Sequence, residues 1–65
     1  MTLTVKELSA IEEQLGNEKL LASKCRAYAQ LCQDPELRKK CEMLSGKHQA
    51  HYESLRMMLG QEGTS

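Results

Sequence analysis

Leu31-Cys32-Gln33-Asp34-Pro35-Glu36 is the stretch that decides the fold of this chain. Proline disfavours a helical conformation in the residue before it, and at the first position of a helix its missing N–H is no loss. Asp34 is then the N-cap of a helix that begins at Pro35, with Glu36 well placed against the positive end of the helix dipole. On both sides of this break the sequence runs for more than twenty residues without another proline. The reading is therefore two long helices joined by about two or three residues, a connection too short for anything but antiparallel neighbours.

The first helix has a marked start. Thr4 and Glu7 have the spacing of a capping box, and Leu3 and Leu8 occupy the positions of a hydrophobic staple around it. Together these predict a helix over about 5–32, a turn at 33–34 and a second helix over about 35–59. Gly60 is read as its stop, followed by a frayed polar tail over 60–65. Small or apolar residues at alternating spacings of three and four define a seam on helix 1: Leu8, Ile11, Leu15, Glu18, Ala22, Cys25, Ala29 and Cys32. The stripe expected on helix 2 is Leu37, Cys41, Leu44, His48, His51, Leu55 and Met58. The three residues that break these apolar stripes are a carboxylate and two imidazoles. Counted from the turn, Glu18 lies about 15 to 16 residues back and His48 and His51 about 14 to 18 residues on. At about 1.5 Å per residue, all three fall within a few ångströms of one level.

A buried carboxylate beside imidazoles is costly unless the groups pair or hold a metal. Histidines at i and i+3 point to one side of a helix and can share an ion, with the glutamate of the facing helix as a third ligand. Glu18, His48 and His51 are thus the candidate metal ligands. Glu12, Glu13, Glu42 and Glu53 fall off the seam, and Glu7 belongs to the cap. The plain alternative is a hydrogen-bonded polar layer that fixes the register of the helices without any ion. A histidine-rich set suits zinc, nickel or copper better than iron.

Bulk properties narrow the function classes. Sixty-five residues make one domain, and two helices alone bury too little apolar surface to be comfortably stable, so association is expected. A second apolar stripe, Leu21 and Tyr28 on helix 1 with Tyr52 and Leu59 on helix 2, suggests that each helix touches more than one neighbour. Two hairpins pairing into a homodimeric four-helix bundle are the simplest arrangement. Nine basic and nine acidic residues cancel, which argues against nucleic acid as a partner. The Arg38-Lys39-Lys40 run reads as a solvated helix face. No apolar run is long enough for a membrane span, and the N-terminus lacks the layout of a signal peptide. Three cysteines without a CxxC pair suggest reduced thiols and an intracellular setting. Cys25, Cys32 and Cys41 read as small core residues, with a Cys25–Cys41 disulfide as the alternative. Met57 and Met58 read as filler, and Tyr28 and Tyr52 as interface residues. No nucleophile–histidine arrangement or glycine-rich phosphate loop is present, so no catalytic residues are assigned.

The hairpin resembles half of a ferritin-like four-helix bundle, in which one helix supplies a Glu and the next a Glu-x-x-His. More closely, it resembles the short coat-F-type spore-coat proteins of endospore-forming bacteria. Lys6-Glu7-Leu8, Tyr28-Ala29, Asp34-Pro35 and His51-Tyr52 carry that likeness, which covers most of residues 3 to 59. The resemblance implies a structural or assembly protein, localised to cytoplasm, forespore or coat, with other coat proteins among its partners. It matches Glu18 to the lone glutamate of the first helix and His51 to the histidine of the motif. His48 stands where the motif has its glutamate, so the carboxylates that would bridge two irons are missing.

Overall fold

The protein is described by a computed structural model covering the backbone of residues 3–63 and the side chains of residues 3–60. Two helices, α1 (Val5–Leu31) and α2 (Pro35–Gly63), pack against each other as an antiparallel hairpin, and the described residues contain no strand. Its extents are 47 × 15 × 12 Å, one helix thick and two wide.

The local signals act as the sequence suggests. Thr4 is extended and its Oγ1 accepts the Glu7 N–H at 3.1 Å. Glu7 Oε1 in turn accepts the Thr4 N–H and hydroxyl, each at 3.0 Å. At the second start, Asp34 Oδ1 accepts the N–H groups of Glu36 at 2.9 Å and Leu37 at 3.4 Å. The end of α1 has a device not foreseen. Arg38, read as part of a solvated basic face, reaches back over the turn and donates to the Cys32 carbonyl from Nε at 3.2 Å and Nη2 at 2.6 Å. A cation on the last carbonyls of a helix satisfies acceptors that have no intrahelical partner.

The Thr4 backbone N–H and then its hydroxyl hold the Glu7 carboxyl below its ordinary value of 4.5. A depressed folded value means that this contribution is present above pH 4.5 and is lost as pH falls through the folded value. Glu7→Gln keeps a capping side chain. Its thermal unfolding temperature should lie slightly below the parent's near neutrality and converge with it as pH falls through the folded value, a shallower acid limb. Identical acid limbs in the two proteins would refute the assignment.

The seam on α1 is as expected from Ile11 to Cys32, with Glu18, Ala22 and Ala29 buried. On α2 it is not. The residues that turn inward are Cys41, Ser45, His48, Tyr52, Leu55 and Leu59, whereas Leu37, Leu44 and Met58 are exposed. The cause is the small size of the facing residues. Over Ala22 the helices come close enough for Ser45 Oγ to donate to the Ala22 carbonyl at 3.0 Å, and a leucine at that position would hold them apart. Tyr52 and Leu59 consequently belong to the seam rather than to a second stripe. The helix also passes through Gly60 to Gly63, because no described glycine adopts the left-handed conformation that a stop there requires. Of the tail expected from residue 60, residues 64 and 65 lie outside the described residues. Cys25, Cys32 and Cys41 are free and half-buried.

Candidate metal centre

Glu18 sits at the middle of α1 with 5% of its surface exposed, between the turns that carry Leu15 and Ala22. Buried on the seam, its carboxylate must find partners on α2. It finds two. His48 Nδ1 lies 2.7 Å from Oε1, and His51 Nδ1 lies 2.8 Å from Oε2. The imidazoles meet edge to face, with ring centroids 6.1 Å apart and planes at 78°. His48 is half-buried at the seam, whereas the His51 side chain is 62% exposed at its edge.

The hydrogen-bond chemistry of this trio is constrained. An ionised carboxylate only accepts, so each ring donates an Nδ1–H to it, and in the neutral form of the ring Nε2 keeps a lone pair. No buried side-chain nitrogen or oxygen among the described residues lacks a partner. The layer is therefore self-sufficient, and its third dimension of use is ligation. One donor atom from each of Glu18, His48 and His51 lies within 4.8 Å of the others. Bonds of about 2.0–2.2 Å bring donors on one ion to within about 4.4 Å of each other, so small rotamer changes suffice. Two imidazoles and a carboxylate form a set suited to zinc and other borderline divalent ions.

The structure thus brings together all three residues singled out from the sequence. Two participants in the local architecture were not foreseen. Ser45, buried one turn from His48, fixes the separation of the helices at Ala22, and Arg38 ties the turn together. The signal for Ser45 was available as the alternative stripe at 41, 45, 48, 52, 55 and 59, which pairs a small side chain with Ala22. No helix among the described residues is long and apolar enough to cross a membrane.

Comparison of the chain with protein-family models, curated proteins and solved structures gives no match.

Proposed function

We propose that this chain is a small, non-catalytic metal-binding protein of ferritin-like architecture, in which Glu18, His48 and His51 hold a divalent ion, zinc first among the candidates. One observation carries this reading: a buried carboxylate engages a different imidazole with each of its two oxygens, on a helix pair in which only Ala22 and Ala29 among the described residues are buried hydrophobic residues. The layer satisfies its own hydrogen bonds and at the same time offers an ion three donor atoms in the middle of a small core. The ion would tie α1 to α2 where apolar packing is thinnest, and its binding free energy would add to folding. The exposed apolar residues support association of two hairpins into a four-helix bundle. The coat-F-type resemblance gives the assembled protein a structural role, with other coat proteins as partners.

Native mass spectrometry of untagged protein incubated with zinc chloride tests this. The expected spectrum carries an integral zinc excess that is lost in Glu18→Ala and in His51→Ala. A protein that stays metal-free with zinc, nickel and copper would leave the layer as a hydrogen-bonded register device.

A further inference from the structure

The two broad faces of the hairpin differ in kind. One carries a hollow lined by polar side chains, among them Arg26, Gln30, Arg38, Glu42 and Gln49. The other carries an almost wholly apolar hollow near the turn, lined by Tyr28, Leu31, Cys32, Leu37 and Cys41. From that hollow the apolar surface continues along both helices at seven-residue spacing: Leu21 and Tyr28 on α1, Leu37, Leu44 and Met58 on α2, all exposed. The remaining member of the α2 series, between Leu44 and Met58, is His51.

We infer that this face docks a second copy of the same chain, and that His51 of each copy enters one shared metal site at the centre of the interface. The inference rests on the metal-binding reading for the ion, with Glu18 orienting the imidazoles instead of ligating, and on the apolar face for the partner. Three observations favour a second copy as the occupant. The hairpin spans 47 Å in length and 15 Å in width, so a copy of equal dimensions covers the face from end to end. Glu18 is the midpoint of α1 (Val5–Leu31) and Gln49, between the two histidines, is the midpoint of α2 (Pro35–Gly63). A two-fold axis through this level therefore pairs the hairpins along their whole length and brings the two Glu/His layers opposite each other. Charged side chains of Arg26, Arg38 and Glu42 line the polar hollow, whereas none lines the apolar one.

The chemistry of the shared site follows from the geometry of the Glu18 contacts. Glu18 already occupies Nδ1 of both rings, which leaves Nε2 on the far side of each ring as the free donor. Two copies offer four such nitrogens, a complete tetrahedral set, with the two Glu18 carboxylates orienting the rings from behind. The stoichiometry is then one zinc per two chains, against one per chain if each hairpin binds an ion alone.

Sedimentation equilibrium and zinc titration of the full chain, beside Leu44→Glu and the opposite-face control Gln30→Glu, test both parts. The expected result is a dimer that takes one zinc per two chains. Leu44→Glu is then monomeric with zinc affinity lower by about tenfold or more, and Gln30→Glu is unchanged. One zinc per chain overturns the shared site while leaving metal binding itself in place. A dimer that survives Leu44→Glu overturns the choice of face. No zinc uptake by any of the proteins refutes the metal reading and with it the shared site, and a monomer in Leu44→Glu alone would then still uphold the docking face. Tyr28→Trp and Gln30→Trp give a second readout, in the assembled protein, that does not depend on Leu44→Glu folding as a monomer. Tryptophan at 28 should be shielded from acrylamide and tryptophan at 30 quenched, and equal quenching of the two would overturn the proposal.

Discussion

The double substitution His48→Ala, His51→Ala is expected to unfold the hairpin near neutral pH at room temperature. It leaves the Glu18 carboxylate, 5% exposed, with neither of the donors that now sit 2.7 and 2.8 Å from its oxygens. Breaking a buried ionic or hydrogen-bonded group by removing its partners costs about 3–5 kcal/mol, because the remaining charge is neither hydrated nor compensated. A domain of this size has on the order of 3–5 kcal/mol of stability in total, so the loss is comparable to the whole. The converse substitution distinguishes this cause from lost packing. Glu18→Leu, His48→Leu, His51→Leu replaces all three polar groups together and removes the desolvation cost along with the pairing. It should fold at least as well as the parent while taking up no zinc. Circular dichroism of the two variants gives the answer. A folded double-alanine protein, or an unfolded triple-leucine one, would mean that the layer is not what limits stability.

The second large effect is expected at Ala22, whose 3% exposure makes it the most buried hydrophobic residue described. Ala22→Leu inserts three carbons where the helices are closest. Overpacking a tight contact costs about 1–3 kcal/mol, and here the added side chain also displaces Ser45 from the Ala22 carbonyl. Glu18 and His48 lie one turn from this contact on their respective helices, so spreading the helices at Ala22 lengthens the Glu18–His48 hydrogen bond as well. The variant should therefore lose both thermal stability and zinc affinity. Ser45→Ala, which removes one hydrogen bond and adds no volume, should cost only about 1 kcal/mol and leave zinc binding nearly intact. Equal effects of the two substitutions on zinc affinity would show that helix separation does not control the centre.

The hairpin was legible because its signals are local. Thr4 with Glu7, and Asp34 with Pro35, fix helix starts through bonds to residues two or three positions away, and these bonds are present at the expected atoms. The level at which Glu18 meets His48 and His51 follows from counting residues along two straight helices from a short turn, so it too was readable. The azimuth of α2 was not. Turning a helix by one residue exchanges Leu44 for Ser45 at the seam, and a hydrophobicity pattern alone favours the leucine. The small volumes of Ala22 and Ala29 decide otherwise, because close packing needs matched sizes across the contact rather than the most apolar face on each side. That rotation puts Leu44 and Met58 in solvent, leaves His51 at the edge of the seam, and so creates the apolar face beside the Glu18/His48/His51 layer. Two helices, their order, their antiparallel sense and the height of the polar layer follow from local signals and residue counts. Which side of α2 faces α1 emerges only when the helices pack, because that choice depends on how two surfaces fit, a property that neither helix has alone.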